Sequence, residues 1–132
     1  MDQPELQQAA VAFFDAFVVA VSSFDGEEIA RRYRAPYLAV QADGFAKCFA
    51  AEEEIARYFQ NVVDDYHARG CRSCAWSDLA VAPIGRQGAL ATVTWQLLHE
   101  DRSVMACWRE SYNLLRVEGE WRIVASTDHV EA

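Results

Sequence analysis

The chain has 132 residues, 52% of them hydrophobic and 24% charged, and its net charge is −8. This length and composition fit one globular domain spanning residues 1–132 and exclude an intrinsically disordered chain. Because 12 Lys and Arg oppose 20 Asp and Glu without forming a basic stripe, we expect no binding to nucleic acid or to an anionic membrane surface.

The first predicted element is an apolar helix that ends near Ser22. Asp2 and Glu5 have the spacing of a capping box, which marks a helix start. The apolar stretch 9–24 contains Asp15, follows no Lys or Arg and is short for a membrane span, so we expect neither a signal peptide nor a transmembrane helix. We predict a buried helix in a cytoplasmic protein, with Asp15 facing either a pocket or solvent.

A short helix, a hairpin and a long helix are predicted next. Asp25 and Glu28 repeat the capping pattern at the start of the short helix. Asp43 and Gly44 form a strong hairpin signal, which predicts a short strand on each side. Segment 50–70 is the clearest helix, because its acidic residues cluster at its start and its apolar residues recur at helical spacing.

The rest of the chain is predicted to be a meander of strands. They lie at 72–84, 89–99, 104–117 and 120–129, separated by turn sequences. Cys71 and Cys74 form a C-x-x-C pair that leads into a strand, and the chain lacks the second pair that a zinc site needs. With no phosphate loop, nucleophile elbow or metal box in the sequence, we expect no cofactor and no bound metal.

The turn lengths allow the last three strands to be aligned residue by residue. The alignment pairs Trp95 with Trp108, Val93 with Glu110, Trp108 with His129, Glu110 with Thr127, Tyr112 with Ala125 and Leu114 with Ile123. One face of the sheet therefore gathers large apolar side chains around a carboxylate, Glu110. We expect this face to meet the helices, since one side of an antiparallel sheet commonly packs on the core.

Glu110 is the strongest functional candidate on this face. A carboxyl beside Trp95 and Trp108 loses contact with water, which raises its pKa and suits general acid or base catalysis near neutral pH. Tyr112 is placed to donate a hydrogen bond to a developing oxyanion, and His129 lies within reach of Glu110 in this alignment. Glu110, Tyr112 and His129 are accordingly the candidate catalytic residues.

Simpler roles are open for the same residues. Glu110 could pair with an arginine of the helices such as Arg57, because buried charges are normally paired, or it could bind water. Tyr112 could be a core aromatic residue whose hydroxyl reaches the edge, and His129, near the C-terminus, could be inert. The orientation of Asp78 is also open, since a bulge can shift its strand.

The order of elements, the segment "PYLAVQADG" (36–44) and the closing "EGEWRIV" (118–124) resemble the nuclear transport factor 2-like superfamily, in particular its SnoaL-like bacterial members. The resemblance covers nearly the whole chain. It implies an α+β, cone-shaped NTF2-like (cystatin-like) fold, in which three helices lie on the concave face of a curved, mostly antiparallel sheet. It also implies a pocket between the two layers and a homodimer through the sheet. Similar folds include isomerases, dehydratases, polyketide cyclases, epoxide hydrolases and structural subunits, so the fold does not fix the function.

Two hypotheses follow from the sequence. In the first, a pocket for a small apolar molecule is lined by Trp95, Trp108, Thr127, Asp15 and Tyr37, and the chain is a cofactor-independent isomerase, cyclase or dehydratase. In the second, the chain is a non-catalytic dimeric module that associates through its other sheet face. The sequence leaves open whether the chain is an enzyme and which ligand it binds.

Overall fold

The computed structural model describes residues 1–130 and has an α+β fold. Its helices are α1 (Gln3–Ser22), α2 (Gly26–Ala30) and α3 (Glu52–Ala68). Its strands are β1 (Tyr33–Val40), β2 (Ala46–Phe49), β3 (Ser73–Ile84), β4 (Gly88–Leu98), β5 (Val104–Val117) and β6 (Glu120–Asp128). The predicted fold class and the predicted order of elements are confirmed.

The six strands form one curved sheet in the order β2-β1-β6-β5-β4-β3. Every neighbouring pair is antiparallel except β1 and β6, which run parallel. The helices cover one face of the sheet, where alternate residues of β4 are buried: Ala89, Ala91, Val93, Trp95 and Leu97. The candidate site lies between this inner face and the helices.

The helix starts follow local sequence signals. The side chain of Asp2 accepts a hydrogen bond from the backbone N–H of Glu5, and that of Asp25 accepts one from Glu27, each at 2.9 Å. Helix α3 has no side-chain cap, but three glutamates in its first turn complement the positive end of the helix dipole. Each helix thus begins with a side-chain cap or with acidic residues in its first turn.

Helix α1 supplies the aromatic centre of the core. Phe14 and Phe17 are buried, and the Phe14 ring lies 6.1 Å from the ring of Trp95 and 5.5 Å from that of Tyr112, between centroids. At twenty residues, the helix is also long and apolar enough to cross a membrane, judged by length and composition alone. Core helices of water-soluble proteins meet the same two criteria. One face of this helix is buried, as predicted, and the other is exposed.

The predicted alignment of β4 with β5 is confirmed. Trp95 lies opposite Trp108, and Val93 lies opposite Glu110. Facing residues of a pair share one side of the sheet, so both tryptophans and the carboxyl are on the inner face. The carboxylate that stood out in the sequence is therefore directed towards the helices.

The predicted alignment of β5 with β6 is right near the turn and wrong beyond it. Leu114 faces Ile123 as predicted, but Val124 has no partner in β5 and forms a β-bulge. This one extra residue turns the side chains in the rest of β6 to the opposite face of the sheet, so Glu110 faces Asp128. Ser126 and Asp128 take the inner positions that had been predicted for Ala125 and Thr127.

Candidate functional site

Two adjoining cavities lie between the sheet and the helices. The inner cavity has a volume of about 80 Å³ and is lined mostly by apolar and aromatic side chains from the helices and the sheet. The outer cavity, of about 310 Å³, is also lined by residues of β6. The residues that line both are Phe59, Val62, Tyr66, Leu97, Trp108 and Glu110. Glu110 therefore lies where the two cavities meet.

All five tyrosines of the chain line these cavities. Tyr33 and Tyr112 border the inner cavity, Tyr37 and Tyr58 border the outer one, and Tyr66 borders both. Burial raises the pKa of each phenol, so all five stay protonated around neutral pH. The cavities thus combine aromatic surface with several O–H groups.

Glu110 is held by hydrogen bonds from two aromatic side chains. Its side chain is buried, with 9% of the residue exposed, and its Oε1 accepts a hydrogen bond from Trp108 Nε1 at 2.9 Å. The hydroxyl of Tyr112 interacts with Glu110 as well, and that hydroxyl accepts a hydrogen bond from Trp95 Nε1 at 2.7 Å. Trp108 thus holds the Glu110 carboxyl in place, and Trp95 holds the Tyr112 hydroxyl that interacts with it.

No arginine or lysine forms an ion pair with Glu110 within residues 1–130, where the salt bridges join other residues. Arg57, which the sequence offered as a partner, is exposed on α3. The explanation that Glu110 is neutralised by an arginine is therefore wrong. Burial without a cation favours the neutral, protonated form of a carboxyl, and only hydrogen bonds to the carboxylate oppose this.

Asp128 is the second carboxyl of the site. It lies across the strand pair from Glu110, is half-buried and lines the outer cavity. Beside it, the hydroxyl of the buried Ser126 hydrogen-bonds to that of Tyr37. Sequence reasoning missed both β6 residues, because the bulge at Val124 has no clear sequence signal.

The pKa values of the two carboxyls are raised together. Burial, assisted by the nearby charge of Asp128, raises the pKa of Glu110 to about 8, although the hydrogen bonds from Trp108 and Tyr112 oppose the shift. Burial also raises the pKa of Asp128, while His129 and a hydrogen bond with Glu110 oppose that shift. The two carboxyls therefore titrate as a pair, in which burial favours the neutral form most strongly at Glu110.

Thr127 and His129 do not join the site. Thr127 is exposed on the outer face opposite Ser111, and His129 Nε2 hydrogen-bonds to Ser111 Oγ on that same face at 2.7 Å. Their predicted placement beside Glu110 is wrong because the bulge at Val124 reverses the direction of every later side chain in β6.

Asp15 and Asp78 also lie outside both cavities. Asp15 is exposed on α1 and accepts a hydrogen bond from Trp76 Nε1 at 2.9 Å, so its predicted place in the pocket wall is wrong. Asp15 lies on the exposed side of α1, away from the buried face that carries Phe14 and Phe17. Asp78 is exposed at a bulge in β3 with φ of 55°. Trp95, Trp108 and Tyr37, by contrast, line the cavities.

Comparison with known protein families assigns the chain to one of them. The sequence profile described as "NTF2-like protein (DUF6841)" matches residues 5–131. The chain belongs to this NTF2-like family. A comparison with curated proteins gives no match. The superfamily that the sequence resembled is thus confirmed.

Solved structures share the NTF2-like fold at low sequence identity. Aln2 from a Streptomyces species is 15% identical, with a TM-score of 0.79 over 98% of this chain and 94% of its own. A domain of unknown function with a cystatin-like fold from Nostoc punctiforme is 18% identical, with a TM-score of 0.76 over 100% and 80%. An NTF2-like protein of unknown function from Shewanella oneidensis is 10% identical, with a TM-score of 0.74 over 93% and 98%. At these identities the likeness establishes the fold alone.

The cysteines of this NTF2-like chain are free thiols. Cys71 and Cys74 are buried and Cys48 and Cys107 are exposed. Cys74 lines the inner cavity, where burial raises its pKa to about 12 and makes it a poor nucleophile. Among residues 1–130, no group of three or more His, Cys, Asp and Glu side chains is arranged to hold a metal ion.

Proposed function

We propose that the chain binds a small, mostly apolar molecule in the two cavities and transfers a proton within it, as a cofactor-independent isomerase, cyclase or dehydratase. The observation that carries this proposal is the Glu110 carboxyl, which is buried without a cation and borders both cavities. Buried ionisable groups with strongly shifted pKa values cluster at functional sites.

The surroundings of Glu110 suit acid–base chemistry. A carboxyl with a pKa near 8 exchanges protons efficiently around neutral pH. The hydroxyl of Tyr112, whose oxygen accepts a hydrogen bond from Trp95, is a protonated donor to Glu110 and stabilises the negative charge that this carboxyl takes when it gives up its proton.

Size and charge restrict the ligand class. Small-molecule pockets usually measure about 300–1,000 Å³, so the outer cavity of about 310 Å³ suits a molecule of one or two rings. The carboxyls of Glu110 and Asp128 repel an anion in this apolar space. The one cationic side chain among the lining residues, Arg69, is exposed and paired with Asp65 at 3.0 Å. We therefore propose a neutral ligand, and the proton transfer proposed for Glu110 suits one that carries a carbonyl group.

A ligand panel tests binding. Cyclohexanone, 1-indanone and 2-tetralone should raise the melting temperature of the protein, whereas benzoate should not, because only the neutral compounds suit the cavities. Val62→Trp should abolish these shifts, since Val62 lines both cavities, while Val19→Trp on the exposed side of α1 should preserve them. Equal shifts in the two variants, or none in the wild-type protein, would contradict the proposed pocket.

A non-catalytic dimeric module is the second candidate function. The outer sheet face carries Leu90, 44% exposed, and the half-buried Leu115, which suits a moderately polar homodimer interface. If the protein is a dimer through this face, Leu115→Arg should convert it to monomer on size-exclusion chromatography. A dimer that survives Leu115→Arg would argue against this interface.

The location that we propose is the cytoplasm, because its reducing environment suits a protein with four free thiols.

A further inference from the structure

We propose that Glu110 and Asp128 act as a pair that holds one proton, in which Asp128 removes a proton from a carbonyl compound and Glu110 protonates its oxygen. This pairing rests on the proposed function and assigns Asp128 as the base. The substrate class is then a neutral ketone or related carbonyl compound with a hydrogen on the carbon next to the carbonyl group.

The backbone brings the two carboxyls together. Glu110 and Asp128 are directly opposite each other in the β5–β6 pair, on the inner side of the sheet. Side chains opposite each other in an antiparallel pair have Cβ atoms about 4.5–5.5 Å apart, so their carboxyl groups reach each other and the same bound molecule. Both line the outer cavity.

The two positions suit different charge states. Glu110 is the more buried of the two and meets the inner, apolar cavity, where a carboxyl is favoured in its neutral form. Asp128 is half-buried and borders only the outer cavity, so it keeps its charge at lower pH. Two carboxyls at this separation do not both ionise readily, which leaves the proton on Glu110.

Few other groups near the pair compete for protons around neutral pH. The titratable or charged side chains facing it are Tyr33 and Tyr37 of β1, Tyr58 and Tyr66 of α3, Arg69 just after α3, and Tyr112 of β5. His129 follows Asp128 in the chain. The tyrosines stay protonated, Arg69 is paired with Asp65, and the His129 side chain lies on the outer face. The proton that moves at neutral pH is therefore the one that the two carboxyls share.

The proposed step balances without a cofactor. The carboxylate of Asp128 takes the proton from the carbon next to the carbonyl group, and the C–H electron pair forms the C=C bond of an enol. The carbonyl π pair moves to oxygen, which takes the proton of Glu110. The negative charge passes from Asp128 to Glu110, where the N–H of Trp108 and the hydroxyl of Tyr112 stabilise it. The reverse step returns a proton to carbon, so the net buried charge never changes.

The test measures hydrogen exchange of 1-indanone in heavy water. Proton NMR follows replacement of the hydrogens next to the carbonyl group, at a series of pH values, with the whole protein. The wild-type rate should rise as Asp128 ionises and fall above about pH 8 as Glu110 ionises. Asp128→Asn should lose about 100-fold or more of the rate, the usual contribution of a general base. Glu110→Gln should keep part of the rate and lose the fall at high pH.

Matched controls and a direct titration complete the test. Asp78→Asn and Glu100→Gln, both exposed, should behave like the wild-type protein. A wild-type rate that keeps rising through pH 8, or an unchanged rate in Asp128→Asn, would overturn the assignment of Asp128 as base. In carbon NMR of the Glu110 carboxyl, Asp128→Asn should lower the pKa of Glu110, and an unchanged titration would overturn the pairing. If 1-indanone binds but never exchanges, proton transfer itself fails and this inference fails with it, while the pocket stands.

Discussion

The free energy of unfolding should fall as the pH rises from about 4.5 to about 8. Glu110 in the unfolded chain ionises near its ordinary pKa of 4.5, whereas burial holds its pKa at about 8 in the folded protein. The folded state is therefore favoured while the carboxyl is protonated, and this contribution is present in full below pH 4.5 and is lost as the pH rises to about 8. The difference corresponds to roughly 5 kcal/mol, a large part of the stability of a small domain.

Urea unfolding at pH 5 and at pH 8.5 measures this effect. Glu110→Gln should flatten the dependence, because the amide is neutral at both pH values and similar in shape. Glu100→Gln, at an exposed turn position, should leave the dependence of the wild-type protein unchanged. If the wild-type protein is equally stable at both pH values, Glu110 is ionised in the folded state or reaches water.

Phe14→Ala should cost about 3–5 kcal/mol of unfolding free energy, the usual cost of truncating a buried Phe. Phe14 is fully buried, and its ring lies within 6.4 Å, between centroids, of the rings of Phe17, Trp95 and Tyr112. Removal of the ring leaves a cavity behind Trp95, which holds the Tyr112 hydroxyl beside Glu110. The variant should therefore also bind 1-indanone more weakly than the wild-type protein.

Chemical denaturation and ligand titration check this prediction. Val19→Ala on the same helix is the matched control, because Val19 is 71% exposed and its truncation should change stability by no more than about 0.5 kcal/mol. A loss below about 1 kcal/mol in Phe14→Ala would mean that the surrounding rings close the gap, contrary to the dense packing described above.

Most of the fold could be predicted from the sequence because its signals are local. Helix starts at Asp2 and Asp25 and the turn near Asp43 depend on a few neighbouring residues, and the structure has elements at each. The alignment of β4 with β5 also follows from the sequence, since the turn length sets the register and a one-residue slip would move the large side chains to the other face. The predicted single domain over 1–132 stays a prediction.

The site could be predicted only in part, because one residue decides which side chains of β6 face inwards. Nothing in the sequence near Val124 distinguishes a bulge from a regular strand. Without the bulge, Thr127 and His129 would border the pocket; with it, Ser126 and Asp128 do. The inward direction of Glu110 was predicted correctly, because Glu110 lies on β5, and pairing with the buried strand β4 fixes which side chains of β5 face inwards.

This bulge also changes the chemistry that the fold can offer. A carboxylate and a histidine, the pair expected from the sequence, would form an acid–base couple of opposite charge. The structure instead gives two carboxyls, Glu110 and Asp128, of like charge in an apolar space. Burial, assisted by the neighbouring charge of Asp128, raises the pKa of Glu110 towards neutrality without any metal or cofactor, which is the basis of the proposed proton transfer.

A crystal structure of the protein soaked with 1-indanone tests the central claim most directly. We expect the ring system in the outer cavity against Trp108 and Val62, with the carbonyl oxygen within hydrogen-bonding distance of the Glu110 carboxyl or the Tyr112 hydroxyl. The Val62→Trp protein, soaked in the same way, should hold no ligand. Ligand found only on the surface, or bound in the cavity with its oxygen directed away from both groups, would contradict a catalytic pocket centred on Glu110.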